Sequence, residues 1–194
     1  MIKKIPNILT IGRIIIVPFF VLAFYLPGFY GDLTACVLFV IASFTDFLDG
    51  MLARMMGEES KLGELLDPIA DKIMVATALI LLVMDGTIKH YEVIAAIIIL
   101  TREILISGLR EFLAIGQIKL PVSNLAKLKT FLQMISISLL LTGATGNKIL
   151  NFQDYNAQTI GIILLWLSAF LTLFTGYEYL RKGIDHAMSE DNKN

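Results

Sequence analysis

The stretch DFLDGMLARMMGEESKLGELLDPIAD, residues 46–71, sets four aspartates into an otherwise apolar chain. Asp46 and Asp49 are three residues apart, and Asp67 and Asp71 are four apart. On a helix, either spacing puts both members of a pair on one face. Between the pairs lies MMGEES, residues 55–60, whose glycine and polar run mark a break. The segment therefore reads as the end of one helix, a short turn and the start of the next. Four carboxylates then converge from two antiparallel neighbours. Unpaired and poorly hydrated at close range, they would repel strongly. Either some of them hold protons or cations sit among them. Oxygen donors without His or Cys suit hard divalent ions, Mg2+ or Mn2+ above all. Two such ions would neutralise the cluster and could clamp a phosphate.

The rest of the chain supplies the setting. Of 194 residues, 56 % are hydrophobic and 17 % charged, and the mean hydropathy is +0.74. A soluble domain of this composition would expose much of that surface to water, so a lipid bilayer is the expected solvent. About 20 apolar residues cross the hydrocarbon. Six stretches qualify, at 8–26, 33–56, 64–84, 91–114, 125–145 and 157–180. Their breaks carry Gly, Pro, Asp and Asn, as in LPGFYGD, MDGTIKH and AIGQIKLPVSN. Lipid forces backbone groups to be satisfied within a segment, and these runs are too long for barrel strands. The expected fold is thus all-α and polytopic: one six-helix transmembrane domain over 1–182, then a polar, frayed tail over 183–194. The opening MIKKIPNILTIGR has basic residues before an apolar run, but Arg13 interrupts it and no small-residue cleavage site follows. It reads as a retained first helix. Cys36 stands alone, which excludes a disulfide framework or a cysteine-rich metal site. The net charge of −1 says little about partners, and no nucleic acid is expected.

Lys and Arg counts set the orientation. With the amino terminus inside, Lys3, Lys4, Arg13, Arg54, Lys61, Arg110, Lys119, Lys127, Lys129, Arg181 and Lys182 fall at inside ends. Only Lys89 and Lys148 fall outside. Both termini and the aspartate cluster are then cytoplasmic. Small residues keep the cluster approachable. Gly50 and Gly63 have no side chain, and Ala53 follows Asp46 by seven residues on nearly the same face. Arg54 and Lys61 offer cations to phosphate oxygens. Pro68 falls in the first turn of a helix, where its missing N–H costs little.

Written out, the motif is Asp46-x2-Asp49-Gly50-x2-Ala53-Arg54-x8-Gly63-x3-Asp67-x3-Asp71. It resembles the signature of the CDP-alcohol phosphotransferases at all eight positions, a family that is also a six-helix membrane fold. The resemblance implies that an acceptor hydroxyl attacks a CDP-linked donor at the phosphorus on the lipid side, and CMP leaves. It implies that Asp46, Asp49, Asp67 and Asp71 ligate two divalent ions, with Asp71 also the general base. It sets the CDP moiety against Asp49, Gly50, Ala53, Arg54, Gly63 and Asp67, and Asn7, Thr10 and Arg13 are placed to line the nucleotide side from the first helix. It also implies a bacterial plasma-membrane protein and, by resemblance alone, a homodimer.

Three looser stretches narrow the acceptor. PNILTIGRIIIVP at 6–18, TREILISGLRE at 101–111 and AKLKTFLQM at 126–134 are similar to the bacterial members that join CDP-diacylglycerol to sn-glycerol 3-phosphate. The charges agree. Arg110, Lys127, Lys129 and Arg181 all fall at the level of the aspartates, and a dianionic phosphate acceptor wants such a pocket. Positive-inside anchoring is the plainer reading of any one of them. Arg102 lies deeper and is expected to pair with Glu103 or another acid. Lys72 reads as ion pairing or orientation as readily as catalysis. Trp166, Tyr177 and Tyr179 read as packing and interfacial anchors. His90 and His186 have no ligand company, and residues 143–146, GATG, read as a turn.

Three rivals stay open. Within the family, serine or inositol phosphate could replace the acceptor. A cation- or proton-coupled transporter would also hold intramembrane carboxylates. Against it, no inverted repeat is visible and the acids sit at one edge, away from the midplane. A membrane prenyltransferase uses aspartate-rich motifs as well, but has no need of the Gly50, Ala53 and Arg54 pattern.

Overall fold

A computed structural model describes residues 5–56, 61–115, 124–143, 145–146 and 156–191. At 5–9, 46–56, 61–65, 67, 68, 71, 112, 114, 115, 178 and 182–191 the description is of the backbone alone. Among the described residues there are six long helices and no strand: α1 Ile5–Phe24, α2 Phe29–Met56, α3 Lys61–Met84, α4 Glu92–Ile115, α5 Asn124–Leu141 and α6 Ala157–Asp191.

The helices form where the apolar runs predicted them, with edges set by local chemistry. Helix α1 starts at Ile5, ahead of the expected residue 8, with Pro6 in a first turn that tolerates it. Pro18 sits inside α1 and removes one backbone hydrogen bond there. Gly28, at φ +76°, turns the chain into α2. Between α3 and α4, Gly86 takes φ +79°. The Asp85 carboxylate accepts from the Thr87 N–H at 2.9 Å and the Thr87 hydroxyl at 3.0 Å, closing that turn. Helix α6 is capped by Asn156, whose Oδ1 accepts from the Thr159 N–H at 2.8 Å.

Among the edges that differ from the sequence reading are two carboxyl-terminal ones. Helix α5 ends at Leu141 rather than near 145, because Gly143 adopts φ +51° and turns the chain. Helix α6 passes its apolar part and continues to Asp191, through most of the segment expected as a frayed tail. Hydropathy marks where the apolar stretch ends, but Glu, Ala, Met and Lys are good helix formers and carry the helix onward.

Helix α6 packs chiefly on α5 and α4, and α1 lies against α2 and α3. Phe20, Phe39, Leu79, Leu82, Ile99, Ile137, Leu140 and Leu165 are fully buried between them. At the α5–α6 contact, the Ser136 hydroxyl donates to the Gly161 carbonyl at 2.7 Å, and the missing side chain of Gly161 admits Leu140. Far along the chain, the Thr145 hydroxyl donates to Asp32 Oδ2 at 2.9 Å and ties the end of α5 to the start of α2. Large apolar side chains also face outward, among them Phe19, Phe44, Ile80, Ile97, Ile104, Phe131, Phe170 and Phe174. Among the described residues, one helix, Ala157–Arg181, is itself long and apolar enough to cross a membrane, with mean hydropathy 2.0. Apolar segments at Thr10–Phe24, Phe29–Thr45 and Lys72–Met84 are shorter.

Candidate active site

The four aspartates lie on two long helices that touch. Helix α2 runs unbroken through positions 46, 49, 50, 53 and 54, and α3 through 63, 67 and 71. Residues 57–60 join them. Each aspartate pair therefore has the helical spacing that puts both members on one face. The side chains of Asp46, Asp49, Ala53, Arg54, Asp67 and Asp71, and the surroundings of Gly50 and Gly63, lie outside the described residues, as does the side chain of Asn7. Among the described residues no group of three or more His, Cys, Asp or Glu could hold a metal. Thr10 is described: it is fully buried on α1, one turn from the buried Arg13.

The basic residues form a connected layer across α4, α5 and α6. Arg110 on α4 donates from Nη2 to the Tyr179 hydroxyl on α6 at 3.0 Å. Its Cζ stands 4.9 Å from the centre of the Tyr179 ring, within cation–π range. Arg102, two turns away on α4, stands 5.8 Å from the same ring. One guanidinium nitrogen of Arg102 donates to Thr175 Oγ1 at 3.2 Å, and the other reaches Glu103 Oε1 at 3.4 Å. Gly176 leaves room for the Arg102 stem, since a Cβ there would stand 3.1 Å from Arg102 Cγ. Lys129 on α5 donates to the same Glu103 Oε1. One carboxylate thus receives two cations from two helices, and one tyrosine ring lies against two arginines.

Of the residues expected to meet an acceptor phosphate, Arg110 and Lys129 belong to this layer. Lys127 and Arg181 are exposed. Lys129 is only 3 % exposed and ion-paired, so it is a buried cation rather than a surface anchor. The pairing of Arg102 with Glu103 is as the sequence reading expected; that of Lys129 with Glu103 was missed. The available signal was the acid itself, because a glutamate inside an apolar helix needs a cationic partner. Tyr179, read as an anchor, carries Arg110, and no spacing in the sequence announces a contact 69 residues long.

A cavity of about 260 Å³ opens between α3, α4 and α5. Lys72, Val75, Glu103, Thr130 and Gln133 are among its lining residues. Val75 follows Asp71 by four residues, so the two positions share one face of α3. Gln133 is 2 % exposed, and its Oε1 has no hydrogen-bond partner among the described residues. A buried acceptor of that kind calls for a donor from water or a bound molecule. The site region therefore combines an acidic helix pair, a layer of cations and an adjoining cavity, the parts needed to hold a phosphate-bearing molecule next to a carboxylate.

Known proteins share this chain's sequence over nearly its whole length. The CDP-diacylglycerol–glycerol-3-phosphate 3-phosphatidyltransferase of Rickettsia felis is 43 % identical over 179 residues, 92 % of this chain and 94 % of its own. The protein of the same name from Yersinia enterocolitica is 40 % identical over 183 residues, covering 91 % and 93 %. That from Cereibacter sphaeroides is 35 % identical over 217 residues, covering 96 % and 98 %. The family model described as CDP-alcohol phosphatidyltransferase matches residues 3–174, which take in the whole aspartate motif together with Arg102, Glu103, Arg110 and Lys129. By that match and those relatives, the chain belongs to the CDP-alcohol phosphatidyltransferase family.

Proposed function

We propose that this protein transfers the phosphatidyl group of CDP-diacylglycerol to sn-glycerol 3-phosphate, giving phosphatidylglycerophosphate and CMP. The observation that carries the reading is the eight-residue signature lying across the junction of two adjoining helices in a chain of this family. The acceptor follows from the relatives' shared name and from Arg110 and Lys129 in one layer.

The chemistry is a displacement at phosphorus. The acceptor hydroxyl oxygen forms a new P–O bond on the lipid side of the pyrophosphate, the bond to CMP breaks, and the hydroxyl proton goes to Asp71. An alcohol is a weak nucleophile until a positioned base takes that proton. The donor set of Asp46, Asp49, Asp67 and Asp71 fits hard divalent ions: four carboxylates at helical spacing, with no nitrogen or sulfur among them. Two Mg2+ or Mn2+ ions held there supply neutralisation of the pyrophosphate charge. In this reading the nucleotide is assigned to Gly50, Ala53 and Gly63, its phosphates to Arg54, and its border on α1 to Asn7 and Thr10. Arg110, Lys127, Lys129 and Arg181 receive the acceptor's phosphate from α4, α5 and α6.

A donor with two acyl chains must stay in the bilayer while its nucleotide stays wet. Six membrane-crossing helices, with both termini and the site at the cytoplasmic edge of a bacterial plasma membrane, meet both demands. The outward apolar side chains support this placement, as does the Lys and Arg distribution. A homodimer is part of the same reading.

The test is an acceptor panel with purified protein and labelled CDP-diacylglycerol. CMP release should depend on glycerol 3-phosphate and on Mg2+ or Mn2+. Turnover with serine or inositol phosphate and none with glycerol 3-phosphate would refute the acceptor. Full activity after exhaustive chelation would refute the ion site.

A further inference from the structure

We propose that Glu103 is a positioning residue that holds the Lys129 ammonium in the place from which it takes the acceptor's phosphate. The inference rests on the acceptor reading given above. Lys129 is attached to α5, Glu103 to α4, and the contact joins them across 26 residues of sequence. A lysine reaches its target on a flexible four-carbon stem, so an unanchored ammonium would sample many positions. Burial alone does not aim it. A carboxylate does, because a charge-assisted hydrogen bond is short and strong and ties the ammonium to one acceptor.

Glu103 is itself held. Arg102 Nη1 approaches the same Oε1 at 3.4 Å, while Nη2 of the same guanidinium donates to Thr175 Oγ1 on α6 at 3.2 Å. The Arg102 stem is confined beside Gly176. The carboxylate therefore takes its position from α4 and α6 and passes it to a side chain of α5. Glu103 also lines the cavity that shares a face of α3 with Asp71, so the aimed ammonium belongs to the region where acceptor and base must meet.

The sign of the effect separates positioning from simple charge. Removing a negative charge beside a site for a dianion strengthens binding if nothing else changes. If Glu103 aims Lys129, removing it weakens acceptor binding instead. Glu103→Gln is therefore expected to raise the KM for glycerol 3-phosphate on the order of tenfold and leave the KM for CDP-diacylglycerol unchanged. Glu103→Asp keeps the charge but draws it back by one methylene, and should fall between the two, with KM raised about threefold. The aspartate variant keeps the buried pair and serves as the measurement should the glutamine variant fail to fold. Lys129→Met should raise the acceptor KM at least as far as Glu103→Gln, and adding Glu103→Gln to it should change little more, since both act through one contact.

A fall in acceptor KM in Glu103→Gln, equal changes for both substrates, or full additivity with Lys129→Met would each overturn the proposal. If Lys129→Met leaves the acceptor KM unchanged while glycerol 3-phosphate is still consumed, the positioning role is overturned and the acceptor reading stands. If the wild-type protein does not consume glycerol 3-phosphate at all, both fall.

Discussion

Replacing Gly161 with alanine places one methyl group at a close contact between α5 and α6. Its carbon would stand 2.8 Å from both Cγ and Cδ2 of Leu140, and 3.4 Å from the Ser136 carbonyl oxygen. Apolar carbons rest about 3.5–4.0 Å apart, so roughly 0.7–1.2 Å must be found. Leu140 is 1 % exposed and has nowhere open to move. Spreading the helices would instead stretch the 2.7 Å bond from the Ser136 hydroxyl to the Gly161 carbonyl. Overpacking of this kind costs about 1–3 kcal/mol. Against it, alanine is better than glycine inside a helix by about 1 kcal/mol. The steric cost wins by about 1 kcal/mol. Gly108 on α4 is the control, because a Cβ there meets nothing within 4 Å. Gly108→Ala should gain the helix preference with no clash. At about 2–4 °C per kcal/mol for a chain of this size, the first variant melts a few degrees below wild type and the second a few degrees above. Thermal unfolding in one detergent, followed by the fluorescence of Trp166, the chain's one tryptophan, measures both. If Gly161→Ala melts at or above Gly108→Ala, the close approach at Gly161 is not a packing constraint and the reasoning fails.

Asp71→Asn should lower turnover about 10²- to 10⁴-fold, because an amide cannot accept the hydroxyl proton; activity near wild type would remove Asp71 as the base. Tyr179→Phe deletes the oxygen that accepts from Arg110 at 3.0 Å and keeps the ring beneath it. With the exposure of Arg110 discounted, the loss is about 1 kcal/mol, seen as roughly a fivefold rise in the acceptor KM; a shift confined to the donor KM would contradict that geometry. Asp32→Ala takes away the acceptor of the buried Thr145 hydroxyl and should cost about 1–2 kcal/mol of stability. Both KM values should stay unchanged, and a kinetic defect would show that this contact reaches the site.

The parts legible in the sequence are those carried by local pattern. Apolar runs located all six helices, since burial and lipid both select unbroken hydrophobic stretches, and Gly28, Gly86 and Gly143 sit at breaks between them. The spacing of Asp46, Asp49, Asp67 and Asp71 needed only helical periodicity. What stayed hidden was long-range pairing. Sequence spacing assigns Lys129 to a cationic pocket but says nothing of its closeness to Glu103 in space. Tyr179 carried no signal beyond being aromatic near a helix end, and Asp32 with Thr145, 113 residues apart, gave none. The continuation of α6 to Asp191 was obscured for a different reason: polarity ends an apolar run without ending a helix.

Helix α6 is a single rod. Near its start, Gln158 donates to the Thr87 carbonyl; 21 residues on, Tyr179 carries Arg110. At 1.5 Å per residue the two points are about 31 Å apart. A tilt of about 5° about the first would swing the second by roughly 3 Å, far beyond the few tenths of an ångström that a hydrogen bond tolerates. Angular precision at the cation layer therefore depends on the length of the rod before it, where Gly161 lets Leu140 lie close and denies the helix room to swing.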